Sequence, residues 1–316
     1  MNPYYKDYGE YLAERFPGRK IQKISVNAGF SCPNRDGSIG RGGCIYCDNS
    51  GFTPSYCFSA SGVKEQLEAG KRFFAGKYPE MKYLAYFQSY TNTFLPAEAG
   101  KGIRIKDIDK LEKLYRDALS VEDVEGLIIG SRPDCFPGEV VDLLERLNRE
   151  RSVIVEIGAE TSHDTTLSLI NRGHSWEHTV SAVRSLADRG ISVGLHLICG
   201  LPGENEEMIM ETVRKVCELP VDTLKFHHLQ IIKGTPLAKK IEDGDLSVAL
   251  YDPERYADLC MRIIDEVPRE IAIERFVASA PPEKVLAPKW GMKNYQFTNL
   301  LINKLRDREL HEAKEF

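Results

Sequence analysis

The chain has 316 residues, 42% of them hydrophobic, and a net charge of -5; that length and apolar content bury a substantial core and exclude general disorder. Eight cysteines are too sparse at this length for a secreted disulfide scaffold, and there is no leader-like start or apolar run of about 18 residues, so a soluble cytoplasmic protein with reduced thiols is expected. The acidic balance supplies no global attraction for nucleic acid, although a local basic patch can still hold phosphates.

In chain order, "YKDYGEYLAERF" reads as a short helix, and the alternating, β-branched stretch 20–30 as the first strand. A cysteine-bearing loop follows it, then a helical pattern over 62–78, a strand at 83–90 and a charged helix at 105–120. Strands at 124–131, 152–160, 192–202 and 223–232 alternate with helices at 138–150, 179–190 and 205–219. Strands separated by helices imply parallel pairing through right-handed crossovers, in an α/β sheet either open and doubly wound or curved toward a barrel. Chemistry then belongs in the loops after the strands, and the distinctive polar residues lie there: the cysteine loop, "QSYTNTF", "SRPDC", "GAET" and "CGLPGE". Beyond about 236 the pattern becomes mostly helical, with one short strand near "IAIERFV". The expected organisation is an N-terminal extension (1–19), the α/β unit (20–235) and a C-terminal extension (236–316).

"CPNRDGSIGRGGCIYC" holds Cys32, Cys44 and Cys47 without a fourth neighbour in the pattern. Three thiolates suit an iron-sulfur cluster with one open iron. Structural zinc requires a fourth ligand and no histidine lies in the loop, so zinc is second; a glycine-rich turn with incidental thiols is third. Gly37, Gly40, Gly42 and Gly43 permit the close backbone approach that wrapping an object demands. Cys217 and Cys260 fall in helical patterns as core residues, and Cys135 and Cys199 after rim strands, where burial is also expected.

Together with "YFQSYTNTF", "SRPDC", "INRGH" and "GLPGE", this loop resembles the radical S-adenosylmethionine superfamily, and within it the YhcC/YtqA type, related to the catalytic subunit of Elongator. The eleven residues between the first two cysteines, in place of the superfamily's usual three, mark that branch. The resemblance implies a partial (βα)6 TIM-like barrel with a mostly helical C-terminal extension. It implies a 4Fe-4S cluster on Cys32, Cys44 and Cys47 whose open iron chelates S-adenosylmethionine, cleaved by one electron to a 5'-deoxyadenosyl radical. It also implies an electron donor such as flavodoxin or ferredoxin.

By the same resemblance, Tyr46 lies beside the adenine. Thr91, Asn92 and Thr93 stand where relatives have a glycine-rich motif for the cofactor's amino group. Ser131 is the nearest substitute for the glutamate that relatives carry just before Arg132 and this chain lacks. Glu160 and His196 are assigned to the ribose hydroxyls and Arg172 to the methionine carboxylate. Glu156 shares a face with Glu160 if the strand keeps period two. For substrate, the resemblance implies the wobble-uridine side chain of tRNA, with Lys225, His227 and His228, and Lys289, Lys293, Lys304 and Arg306 beside Trp290, Tyr295 and Phe297, as candidates to grip phosphates and stack on bases. The alternatives are a radical enzyme acting on a small metabolite and a non-enzymatic iron-sulfur or zinc RNA-binding module.

Overall fold

The computed structural model describes residues 2–48, 54–58, 62–76, 80–94, 105–278 and 280–313, with backbone alone at 105–107. The end of the helix expected over 62–78 therefore lies outside the described residues. Helices are α1 (Tyr8–Arg15), α2 (Pro33–Asp36), α3 (Val63–Ala75), α4 (Ile105–Leu119), α5 (Gly138–Glu150), α6 (Asp164–Leu169), α7 (Trp176–Ala187), α8 (Glu206–Cys217), α9 (Pro236–Glu242), α10 (Pro253–Glu266) and α11 (Asn294–Glu312). Strands are β1 (Ile21–Val26), β2 (Lys82–Phe87), β3 (Val124–Ser131), β4 (Ser152–Glu160), β5 (Ser192–Cys199), β6 (Thr223–His228), β7 (Ile231–Ile232), β8 (Ala272–Arg275) and β9 (Val285–Ala287).

Seven strands form one parallel sheet in the order β1-β2-β3-β4-β5-β6-β8. Its outer face, with Phe87, Leu127, Ile129, Val155 and Leu195, packs beneath the helices as the main core. The inner face is apolar near the start of the strands, at Leu84, Ile128 and Ile154. Lys23 on β1 bonds Glu274 on β8 at 2.7 Å, although these strands stand at opposite ends of the order. A flat sheet would hold them six strand spacings apart, roughly 29 Å. The sheet is therefore a curled partial barrel, whose ends meet through side chains.

Two features depart from the simple alternation. The stretch 223–232 divides after His228, and its last two residues pair antiparallel with β9. The short strand expected near 271–277 is β8, which adds a seventh strand beside β6, with α10 as its crossover. α1 begins at a capping box in which Asp7 accepts from the Glu10 N–H and Glu10 accepts from the Asp7 N–H. It plugs the barrel's lower end: the Tyr11 hydroxyl meets Ser192 Oγ at 2.7 Å, and Arg15 Nε donates to Ser152 Oγ at 2.7 Å. Those serines open β5 and β4. Among the described residues no helix is long and apolar enough to cross a membrane.

Candidate active site

The rim loop after β1 is shaped by its turn residues. Pro33 starts α2 with its preset φ, and the Cys32 carbonyl accepts from the Arg35 and Asp36 N–H groups at 2.7 and 3.0 Å. Gly37 ends the turn at φ +92°, and Gly43 lies at φ +74°, where an added Cβ would come 2.6 Å from Arg35 Nε. The Cys47 N–H then donates to the Cys44 carbonyl at 3.1 Å. All three cysteines are free thiols lining one cavity of about 250 Å³.

"INRGH" closes on this loop from the other side. Asn34 Nδ2 donates to the Asn171 and Arg172 carbonyls at 2.6 and 3.3 Å, and Asn171 Nδ2 donates to the Gly43 carbonyl at 2.8 Å. The Ile45 N–H donates to the Ile170 carbonyl, and Arg132 Nη1 to the Arg172 carbonyl at 2.7 Å. Arg172 itself is buried, with Nη1 at 3.4 Å from Cys44 Sγ and Nη2 at 3.1 Å from Glu160 Oε1. Burial pushes the Cys47 thiol up to about 12, with Cys44 adding to the effect. Such a thiol ionises when a cation joins it.

Of the sequence-nominated residues, Tyr46, Thr91, Ser131, Glu160, Arg172 and His196 line the same cavity as the cysteines. Asn92 and Thr93 do not: the Asn92 amide donates to the Phe87 and Gly130 carbonyls, its own carbonyl accepts from the Tyr115 hydroxyl, and Thr93 donates to the Cys135 carbonyl at 2.6 Å. The turn at Tyr90, with φ +69°, swings the two side chains into the scaffold. Glu156 and Glu160 both reach the cavity, but by different routes, because β4 carries a bulge between Gly158 and Glu160 and Glu160 adopts φ +69°. Arg172 is engaged through its two Nη atoms by Cys44 and Glu160, which leaves Nε as its unpartnered donor among the described residues.

The cavity floor is polar. Glu156, 2% exposed at its side chain, accepts from Lys23 at 2.9 Å, Lys225 at 3.1 Å, His196 Nε2 at 2.7 Å and Tyr86 at 2.6 Å. Lys225 also pairs with Glu274 at 2.8 Å. Burial alone would raise the Glu156 carboxyl, yet Lys225 and Lys23 together hold it well below the usual carboxylate range. Burial lowers His196, followed by the charge of Lys225, so its imidazole is neutral and donates.

The family model of the radical SAM superfamily matches residues 32–216, and that of the radical SAM C-terminal domain matches 221–307. The chain belongs to the radical SAM superfamily. YtqA of Bacillus subtilis is 34% identical over 312 residues, covering 99% of this chain and 92% of that protein. YhcC of Escherichia coli is 38% identical over 284 residues, covering 90% and 86%. A protein named tRNA uridine(34) acetyltransferase, from Methanocaldococcus jannaschii, is 28% identical over 161 residues, covering 50% of this chain and 28% of that one. The structure of Methanocaldococcus infernus Elp3 superposes with a TM-score of 0.67 at 17% identity, covering 92% of this chain and 64% of that chain, a likeness of fold.

The cofactors of this radical SAM enzyme are a 4Fe-4S cluster and S-adenosylmethionine. The residues present fit both. Cys32, Cys44 and Cys47 are three free thiols lining one cavity, and three thiolates that each take a different iron leave the fourth iron of a cluster open. The buried Arg172 Nε has no partner, an orphan donor beside that cavity.

The nominated nucleic-acid grip is corrected in part, since Arg306 stays exposed and His227 lines the cavity. Lys225 is buried in the floor and His228 is buried, stacked on Trp290 with centroids 3.9 Å apart. Phe297 is in the core, and Lys304 pairs with Glu254 and Asp258. Lys289, Lys293 and Tyr295 stay exposed. Residues overlooked in the sequence are Asn34, Lys23, Tyr86, Glu274 and Arg275. Lys23, Tyr86 and Glu274 carried a signal, a polar residue on the inward phase of a strand.

Proposed function

We propose that this radical SAM enzyme acts on the side chain of the wobble uridine of tRNA, of the carboxymethylaminomethyl type. Held by Cys32, Cys44 and Cys47, a 4Fe-4S cluster would supply the one-electron reductive chemistry on S-adenosylmethionine that activates substrate by removal of a hydrogen atom. Cys32, Cys44 and Cys47 hold the cluster, and Arg172 keeps a positive charge at Cys44 while fixing Glu160. Thr91 and Ser131 offer hydroxyls to the amino-acid end of S-adenosylmethionine, the second oxygen of Glu160 accepts from ribose, and Tyr46 covers adenine. His196, held by Glu156, presents its other ring nitrogen, and the floor excludes water from the reacting centre. A one-electron carrier such as flavodoxin or ferredoxin supplies reductant.

The observation that carries the RNA reading is the 161-residue alignment with a protein named for tRNA uridine 34. The test is nucleoside analysis of tRNA from a strain lacking this protein, paired with 5'-deoxyadenosine release by the reconstituted enzyme given that tRNA. Accumulation of one wobble nucleoside and tRNA-dependent release are expected. An unchanged nucleoside profile removes the RNA reading and leaves a small metabolite as substrate.

A further inference from the structure

Cations on the cavity wall are mostly spoken for. Arg172 pairs with Glu160, Arg132 with Asp134 at 2.8 Å, and Lys284 with Asp48 at 2.8 Å. Arg35 donates to the Cys47 carbonyl within the cysteine loop. Arg275, the last residue of β8, also lines the cavity, yet it has no carboxylate partner among the described residues. Its Nη2 lies 3.3 Å from both ring nitrogens of His227. A position equidistant from both lies over the ring face, because an in-plane approach would collide with the carbon between them. Among the described residues Nη1 has no hydrogen-bond partner, and neither has the buried Nε.

The charges nearby make this deficit plain. On the floor, Lys23, Lys225 and Arg275 are three cations against two carboxylates, Glu156 and Glu274, each already bonded to both lysines. Burial and the Arg275 charge drive His227 well below its usual range, so it adds no charge but remains a neutral platform. A guanidinium left partly buried, stacked on a neutral ring and short of one anion is a costly arrangement without a ligand. Its planar fork matches a carboxylate with two parallel hydrogen bonds.

We infer that Arg275, seated on His227, is a subsite for the carboxylate of the substrate. The Arg275 charge bears on Tyr86, Lys225, His227 and His228, whereas the cations that bear on Cys47 are Arg35 and Arg172, so the subsite faces the floor rather than the thiols. The identity of the substrate rests on the proposed function; the carboxylate subsite rests on the charge arrangement alone.

The test uses the reconstituted holoenzyme and an anticodon stem-loop RNA bearing 5-carboxymethylaminomethyluridine, either as the free acid or as its methyl ester. The phosphates are the same in both, so only the side-chain carboxylate differs. Wild type is expected to bind the acid roughly 10- to 100-fold more tightly than the ester, Arg275→Lys to keep part of that ratio, and Arg275→Gln to lose it. Undiminished discrimination in Arg275→Gln overturns the inference. In parallel, thermal melting is followed in propionate and in propionamide at equal ionic strength. Wild type is expected to gain more from propionate and Arg275→Gln to show no difference. If neither RNA binds but propionate still discriminates through Arg275, the RNA reading fails and the subsite stands; no propionate preference in wild type overturns the subsite even where RNA binds. Arg275→Gln is expected to melt no lower than wild type, since it removes an uncompensated charge.

Discussion

Glu156→Gln tests the floor most directly. The carboxylate is 2% exposed and takes four donors between 2.6 and 3.1 Å. Glutamine keeps the shape but removes the charge, leaving Lys23 and Lys225 with Glu274 as their shared counter-ion and turning amide hydrogens toward existing donors. Breaking a buried pair by removing one partner costs about 3–5 kcal/mol, which for a chain of this size lowers the melting temperature by roughly 5–8 °C. Adding Lys225→Met removes one of the stranded cations with little change of volume, and the glutamine amide can then donate to His196 in its other tautomer. The double variant should recover most of the loss, so that the two changes are strongly non-additive. Thermal unfolding at neutral pH of the four proteins of the cycle measures this. A single variant that melts within about 2 °C of wild type, or a double variant whose loss is the sum of the two, would refute the account of the floor as one charge-balanced unit.

Both floor carboxyls are held below the usual range, Glu156 by Lys225 and Lys23 and Glu274 by the same two lysines, against desolvation in each case. A lowered folded carboxyl value gives stability that is full above the unfolded pKa and is lost as pH falls through the folded one, so the two carboxyls add an acid limb below about pH 4 to the decline that begins below about pH 6.5, where the unfolded chain protonates the histidines that the fold keeps neutral; a Glu156→Gln variant whose acid limb is as steep as wild type would contradict this. Gly158→Ala places a Cβ 2.6 Å from Arg172 Nη2 and 2.8 Å from Glu160 Oε1; a loss of about 1–3 kcal/mol is expected, with lower iron content after reconstitution, whereas Gly76→Ala, with open space around it, should change neither. Asn34→Ala strips the amide that ties the cysteine loop to Asn171 and Arg172; it should cost about 1–3 kcal/mol and release iron faster on gel filtration, and unchanged iron retention would argue against the clamp.

The sequence pattern read β3 and β4 to their ends because both are long, apolar and covered on their outer face. It brought the thiols to one cavity with Tyr46, Thr91, Ser131, Glu160, Arg172 and His196 because parallel strands deliver their loops to one rim. It misplaced Asn92 and Thr93 because the handedness of a turn belongs to Tyr90's backbone, which side-chain type does not report. His228 looked free for nucleic acid because its stacking partner, Trp290, comes from a segment 62 residues onward, past β8. Arg275 was invisible for a different reason: its meaning lies in a partner that is missing, and only the assembled floor shows which carboxylates are already taken.

That floor also explains how the partial barrel holds its shape. β1 and β8 share no ladder, so no backbone hydrogen bond draws the two ends together. Lys23 reaches from β1 to Glu274 on β8 and to Glu156 on the opposite wall, while residues 6 and 7 bridge to Ile273. The lysine therefore acts as a clasp across the seam. In Lys23→Met both carboxylates keep Lys225, so the whole-molecule melting temperature should change little compared with Glu156→Gln. The seam, however, loses this tie, and β8 should open more often by itself. Hydrogen exchange should accelerate roughly tenfold in the β8 amides, where sub-global opening is the route, and stay unchanged in β3, β4 and β5. Equal acceleration in every strand would mean that Lys23 contributes to global stability alone, and unaltered exchange in β8 would mean that the seam is closed by the N-terminal segment without it.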